Sequence, residues 1–272
     1  MIMEMDAAAK GQVSASAAEI YDRFFVPALF GEWGEPLCRA AGVAQGERVL
    51  DVACGTGATT RAAAEIVGPG GNVTGIDRND GMLDVARQNC ARHMEFVDGM
   101  AEALPFEDGS FDRVLCQFAL MFFEDREAAL REMRRVLAPR GAVALSVWDR
   151  VETSEGYAGM ISLLDRMFGR EVADALRAPY VLGDRDVLAG VLASGGFNDA
   201  VVETRVGTAR FQSIREWVRM DVRGWTLADM IDEDQFEALV AAAEQEFAGL
   251  VGSDGRVAFD APAHLVTWSA QK

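Results

Sequence analysis

Short apolar runs alternate with amphipathic stretches between residues 45 and 149. This alternation is typical of a parallel sheet that helices cover on both faces. Such sheets bind ligands outside the carboxyl ends of their strands. The pattern predicts strands over 48–52, 72–76, 94–97, 111–117 and 142–148, and helices over 58–67, 79–89 and 126–137.

The pattern changes on both sides of this region. Residues 14–44 are predicted to be helical, with aromatic side chains interrupted by Pro27 and two glycines. Beyond residue 150, we expect a helical insert before each of the last two strands, so that the inserts form a lid over the strand ends. The predicted helical regions are 154–194 and 213–251, and the predicted strands are 199–211 and 264–268.

The charge of the chain argues against some partners. Its 26 basic and 43 acidic residues give a net charge of −17, and a surface of that sign repels phosphate backbones and anionic lipid. We therefore expect no nucleic acid as substrate. No apolar run approaches the roughly 18 residues of a membrane-spanning helix, and residues 1–10 lack the order of a signal peptide. These features predict a cytoplasmic protein.

A glycine-containing turn follows the first predicted strand, in the segment 49–57 (Val-Leu-Asp-Val-Ala-Cys-Gly-Thr-Gly). Gly55 and Gly57 allow a ligand to approach the backbone closely, and the next helix offers free N–H groups at its start. Asp77 ends the second predicted strand, where a carboxylate can accept hydrogen bonds from two ribose hydroxyls. The order of these features predicts a nucleotide-type binding site.

The ligand of this turn need not be a dinucleotide. The third glycine of the G-x-G-x-x-G fingerprint is replaced by Thr60, and Asp51 before the loop suits an ammonium group better than a diphosphate. These residues favour a nucleoside that carries an amino-acid tail. A capping role for Asp51 within the turn is the alternative. The four cysteines show no C-x-x-C spacing, so we predict no metal site.

Several segments resemble, in order and spacing, the class I S-adenosylmethionine-dependent methyltransferases of the ubiquinone/menaquinone type, also called type 11. The resemblance implies a Rossmann-like α/β fold with a seven-stranded, mostly parallel sheet whose last strand is antiparallel. It also implies an N-terminal helical lid (1–44), a cofactor-binding core (45–149) and a third region of strands with helical inserts (150–272). The segments that carry it are 49–57, 75–77, 98–106, 111–112, 116–123 and 135–141.

The resemblance also implies roles for individual residues around S-adenosylmethionine. The glycine loop would hold the methionine part, Asp77 the ribose and Asp98 the adenine amino group, while two N-terminal aromatic residues would close over the cofactor. Those two could equally be packing residues. The implied cofactor-binding set is Tyr21, Trp33, Asp51, Ala53, Gly55, Gly57, Asp77, Arg78, Met82, Asp98, Met100, Ala101, Gln117 and Phe118.

Two features bear on the acceptor of the methyl group. Residues 117–120 read Gln-Phe-Ala-Leu in place of an N/D-P-P-Y/F motif, which counts against N-methylation of bases or glutamine. His264, predicted to start the last strand, is a candidate general base, with packing as the alternative. Methyl transfer from a sulfonium needs mainly proximity and alignment, so no catalytic triad is expected.

The predicted function is methyl transfer to a small molecule, through O, N or C. Aromatic residues in the lid favour a hydrophobic or aromatic acceptor; they are Tyr157, Phe168, Trp217 and Trp225. An NAD(P)-dependent Rossmann oxidoreductase and a cofactor-binding module without activity are the alternatives. The identity of the acceptor and the oligomeric state leave no recognisable pattern in the sequence.

Overall fold

A single mixed sheet runs through the molecule. The computed structural model describes residues 15–90, 94–224 and 227–270, and its sheet has the strand order β3-β2-β1-β4-β5-β7-β6. Strand β7 is antiparallel to both of its neighbours, and the other strand pairs are parallel. The strands are β1 (Arg48–Val52), β2 (Asn72–Asp77), β3 (Met94–Asp98), β4 (Phe111–Gln117), β5 (Leu137–Trp148), β6 (Val201–Phe211) and β7 (Val257–Ser269).

This sheet confirms the predicted seven-stranded Rossmann-like fold with one antiparallel strand. Two predicted strand starts were wrong. Strand β7 begins at Val257 rather than at residue 264, because its first residues pair with Phe211 at the far end of β6. Strand β5 begins at Leu137 rather than at residue 142, because Leu137 pairs with Phe111 before a register shift.

Helices cover the sheet between its parallel strands. Three of the predicted helices form α3 (Ala58–Val67), α4 (Asp80–Asn89) and α5 (Arg126–Arg135). Helix α5 buries Ala129, Leu130 and Met133 on one face, as its apolar spacing predicts. It ends two residues before the predicted end, since Leu137 already belongs to β5.

The N-terminal region is helical, as predicted. Helix α1 (Ala15–Ile20) runs into a π-helical segment, Tyr21–Phe30, which contains Pro27 and buries Phe25 and Phe30. After a short 3₁₀ turn, helix α2 (Gly34–Ala41) ends at Gly42, whose positive φ of 68° closes the helix.

Helical inserts precede β6 and β7 in the chain, and we call these two inserts the lid. Their bounds are α6 (Glu155–Phe168), α7 (Arg170–Arg177), α8 (Arg185–Ser194), α9 (Ile214–Arg223) and α10 (Glu233–Glu246). Buried residues of the sheet, the N-terminal region and these inserts form one continuous apolar cluster. The inserts therefore share a core with the sheet. Within the described ranges, no helix has both the length and the hydropathy to cross a membrane.

Candidate functional site

The loop after β1 adopts a tight conformation with several left-handed residues. The φ angles of Ala53, Gly55 and Gly57 are 56°, 53° and 81°. A Cβ on Gly57 would lie 2.9 Å from Cys90 Sγ, so the loop packs closely against the end of α4 at this point. A Cβ on Gly55 would meet nothing within 4 Å. Gly55 therefore presents open backbone to an incoming ligand.

Asp77 ties this loop to the end of β2. Its Oδ2 accepts a hydrogen bond from Gly55 N at 2.8 Å, and its Oδ1 accepts one from Asn79 N at 2.9 Å. Burial raises the pKa of the Asp77 carboxyl, and the backbone N–H groups that it accepts from oppose that rise. Each carboxylate oxygen retains a further lone pair, so the group can still accept from a ligand.

A cleft of about 820 Å³, including its open mouth, lies over this loop and the ends of β1, β2 and β4. We call it the loop cleft. Nine of the residues predicted for cofactor binding line it, and they come from five separate segments of the chain. They are Tyr21, Ala53, Gly55, Asp77, Arg78, Met82, Ala101, Gln117 and Phe118.

Gln117, at the end of β4, offers a free acceptor in the loop cleft. Its Nε2 donates to Phe30 O at 3.2 Å, which fixes the amide orientation. Its Oε1 is buried and has no hydrogen-bond partner among the described residues. A ligand with a donor group would satisfy this oxygen. Open backbone at Gly55, the Asp77 carboxylate and this amide oxygen together fit a nucleoside with an amino-acid tail.

Asp51 does not line the loop cleft. It is 1% exposed, and its Oδ2 accepts a hydrogen bond from Thr60 Oγ1 at 2.7 Å. Burial raises the pKa of the Asp51 carboxyl to about 7. In this structure Asp51 connects β1 to α3 through Thr60.

Four other predicted cofactor residues also lie outside the lining of the loop cleft. Asp98 on β3 is paired with Asp77 on β2 but is exposed. Met100, two residues further along the chain, is 43% exposed. Trp33 is 3% exposed and packs edge-on against Phe118, with ring centroids 5.6 Å apart. Gly57 caps α3 behind the loop.

His264 does not start a strand, contrary to the prediction. It lies within β7 opposite Val147 and is 1% exposed. Thr204 Oγ1 lies 2.8 Å from its Nδ1, and Gly183 O lies 2.9 Å from its Nε2. Both ring nitrogens have partners, and the ring lines neither the loop cleft nor the aromatic cavity described below, so the structure does not place His264 in either site.

The cofactor-binding set predicted from the sequence does not include six residues of the lining. They are Ile76, Gly99, Glu102, Ala119, Phe122 and Phe123. Most of them lie in the two segments, 98–106 and 116–123, that carry the family resemblance, which was the available signal. Glu102 and Phe122 follow turns after β3 and β4. The direction of these two side chains depends on the path of each turn, which the local sequence pattern does not determine.

A second cavity adjoins the loop cleft, and Phe118 and Phe122 line both. We call it the aromatic cavity. Its lining combines seven aromatic rings with three aliphatic residues and one carboxyl group, and it comprises Phe25, Leu29, Phe30, Phe118, Phe122, Trp148, Tyr157, Leu176, Pro179, Tyr180 and Asp221.

The lid aromatics named from the sequence have different positions. Tyr157 lines the aromatic cavity. Trp217 is completely buried behind it, with its ring 5.9 Å from that of Tyr157. Phe168 does not line the cavity, and Trp225 lies outside the described residues.

Sequence comparisons place the chain near known methyltransferases. Residues 50–145 match the family model of a methyltransferase domain. A demethylmenaquinone methyltransferase of Staphylococcus epidermidis is 33% identical over 192 residues, which cover 64% of this chain and 78% of that protein. The corresponding enzyme of Staphylococcus aureus is 45% identical over 113 residues, covering 41% of this chain and 47% of that protein.

Solved structures show the same fold. Phosphoethanolamine N-methyltransferase 2 of Haemonchus contortus, in complex with S-adenosyl-L-methionine, has a TM-score of 0.58 at 19% identity, covering 95% of this chain and 58% of that one. An S-adenosylmethionine-dependent methyltransferase of Aquifex aeolicus has a TM-score of 0.53 at 16% identity, covering 93% of this chain and 99% of that one.

Proposed function

Because the chain belongs to the class I S-adenosylmethionine-dependent methyltransferases of the ubiquinone/menaquinone type, we propose that it methylates a hydrophobic or aromatic small molecule. The aromatic cavity is the observation that carries this proposal. It is lined almost entirely by apolar and aromatic side chains, and it meets the loop cleft at Phe118 and Phe122. An acceptor bound there would lie beside the methyl donor.

We assign the donor site to the loop cleft. Gly55 and Ala53 would lie along the methionine part, and Asp77 would accept hydrogen bonds from the ribose. The buried Gln117 Oε1 would accept a hydrogen bond from a donor group of the cofactor. Asp51 would act through the loop, since its carboxyl contacts Thr60 rather than the cleft.

When bound, S-adenosylmethionine supplies an activated methyl group on a sulfonium. The chain's own contribution is then mainly alignment, because in-line transfer requires the acceptor atom to lie opposite the leaving sulfur. Phe118 contributes rigidity at the junction: its ring stacks on Trp148 with centroids 3.9 Å apart, and its N–H donates to Ser146 O at 3.0 Å. Its φ of 51° directs the chain away from β4 at this point.

The names of the relatives supply one acceptor to test. The staphylococcal proteins are demethylmenaquinone methyltransferases, so a demethylated menaquinone belongs in any acceptor panel. The aromatic cavity has the apolar character that such a ring would need.

The test is a methyl-transfer assay with S-adenosylmethionine labelled in its methyl group. The panel would contain a demethylmenaquinone, hydrophobic aromatic amines and phenols, and polar metabolites, with labelled products identified by mass spectrometry. We expect label in one or more hydrophobic or aromatic compounds. Label found only in polar metabolites would overturn the proposed acceptor class.

A further inference from the structure

Asp221 is a buried acid for which the described residues provide no ion pair. It lies on α9, is 4% exposed and lines the aromatic cavity. Its Oδ2 has no hydrogen-bond partner among the described residues. A buried carboxyl group normally has hydrogen bonds or a cation to offset its lost hydration. A ligand in the cavity could therefore supply the hydrogen-bond donor or cation that Asp221 lacks.

The rest of the cavity lining also favours a positively charged ligand. No arginine, lysine or histidine lines it among the described residues, and the other polar side chains are Tyr157 and Tyr180. Aromatic rings present negative charge density on their faces. The ring centroids of Tyr157 and Trp148 lie 6.0 Å and 6.4 Å from that of Tyr180, so three rings of the lining cluster together.

We propose that the acceptor is a hydrophobic molecule that carries an amine, and that the positively charged nitrogen pairs with Asp221 beside the rings of Trp148, Tyr157 and Tyr180. This nitrogen anchors the molecule, and a different atom, with a free electron pair, receives the methyl group. This inference rests on the proposed function, because it treats the aromatic cavity as the acceptor site. Cations bind favourably to aromatic groups, most strongly where water is excluded. The negative net charge of the whole chain, −17, also favours a cationic ligand.

Other classes of acceptor fit this carboxyl less well. An anionic acceptor would be repelled by Asp221 and would find no cation in the described lining. A neutral ring would leave Asp221 without a counter-charge. Burial raises the pKa of Asp221 well above its ordinary value, and the nearby Trp217 indole opposes this only in part. A cation bound beside Asp221 would lower this pKa and favour the carboxylate form.

The experiment compares two ligands of the same shape. Phenyltrimethylammonium and tert-butylbenzene differ by one permanent positive charge, so no titration of the ligand complicates the result. Calorimetry on the full chain loaded with S-adenosylhomocysteine would give both affinities. We expect the cation to bind about tenfold or more tightly than its neutral isostere. Equal affinities, tighter binding of tert-butylbenzene, or no binding of either would overturn the inference.

Two variants locate the effect. Asp221→Asn keeps the size of the side chain and should reduce the preference for the cation to what the aromatic rings alone provide, while the affinity for tert-butylbenzene stays the same. Asp234→Asn makes the same change of net charge at an exposed position on α10 and should keep the full preference. A preference that is undiminished in Asp221→Asn would contradict the assignment to Asp221.

The same titrations separate this inference from the proposed function. Binding of S-adenosylhomocysteine without any charge preference would overturn the amine acceptor and leave the donor site intact. Failure of the wild-type chain to bind S-adenosylhomocysteine would instead remove the donor site on which the proposed function depends. If Asp221→Asn did not fold, the wild-type comparison of the two ligands would still decide the question.

Discussion

Two buried carboxyl groups near the glycine loop have different positions. Asp77 lines the loop cleft and accepts backbone hydrogen bonds from Gly55 and Asn79, whereas Asp51 lies behind the loop and accepts from Thr60. Sequence spacing predicted both as ligand groups. The structure therefore separates one group that can contact a cofactor from one that supports the loop.

Replacement of Asp77 tests the first of these roles. Asp77→Ala removes the acceptors for the ribose and for the loop, so S-adenosylhomocysteine should bind about 1–3 kcal/mol more weakly. Calorimetry would measure this loss. Asp84→Ala, at an exposed position of α4, is the matched control and should leave the affinity unchanged. An unchanged dissociation constant for Asp77→Ala would remove the assignment.

The raised pKa of Asp51 predicts a pH dependence of stability. Burial raises that pKa from 3.8 to about 7, so the folded chain holds a proton that the unfolded chain loses between these values. The free energy of unfolding that this group contributes therefore falls as the pH rises from about 4 to 7. Asn cannot titrate, and its side-chain oxygen can still accept from Thr60.

Asp51→Asn should consequently gain stability relative to the wild type as the pH rises, by at most about 4 kcal/mol over the whole titration and about 3 kcal/mol between pH 5 and pH 8. Urea unfolding at pH 5 and pH 8 would measure the difference. Asp112→Asn serves as a control, and its stability relative to the wild type should change with pH in the opposite direction. The reason is that hydrogen bonds from Arg48 lower the pKa of Asp112. A pH-independent difference for Asp51→Asn would contradict the assignment.

Helix caps illustrate how an element positions the site. The Asn79 side chain accepts a hydrogen bond from Met82 N at the start of α4, and the Met82 side chain lines the loop cleft. Helix α10 begins with a capping box in which Asp232 accepts from Gln235 N. The two caps are alike in chemistry, but only the first adjoins the cleft.

Removal of these caps should therefore have separable effects. Asn79→Ala and Asp232→Ala should each lower the free energy of unfolding by about 1 kcal/mol, measured by urea denaturation. Asn79→Ala should also weaken binding of S-adenosylhomocysteine, because the start of α4 carries Met82 into the cleft. Equal binding by both variants would show that this cap has no part in the cofactor site.

The parts of the structure that follow local rules were predictable from the sequence. The strands and helices of the core follow from apolar spacing, and the turn after β1 follows from Gly55 and Gly57. The extra length of β7 was not predictable, because its first residues are held by pairing with the distant β6. For the same reason, the burial of His264 within the sheet was missed.

The aromatic cavity could not be assembled from the sequence. Its walls come from the N-terminal region, the turn after β4, the end of β5 and the lid, as Phe30, Phe118, Trp148 and Tyr180 illustrate. No periodicity relates positions so far apart in the chain. Asp221 gave no signal either, since a single acid on an amphipathic helix has the pattern of a solvated face.

The whole molecule joins these parts through one apolar core. Residues of the N-terminal region, the sheet and the lid pack in the same cluster, and the loop cleft and the aromatic cavity meet between them. The proposed donor and acceptor sites are thus held by a shared core. Phe118 and Phe122 form the boundary between the two sites.

The assignment of the loop cleft to S-adenosylmethionine rather than to a dinucleotide can be tested by calorimetric titration of the full wild-type chain with S-adenosylhomocysteine and, separately, with NAD. We expect saturable binding of S-adenosylhomocysteine at one site per chain and no binding of NAD. Binding of NAD without binding of S-adenosylhomocysteine would overturn this assignment.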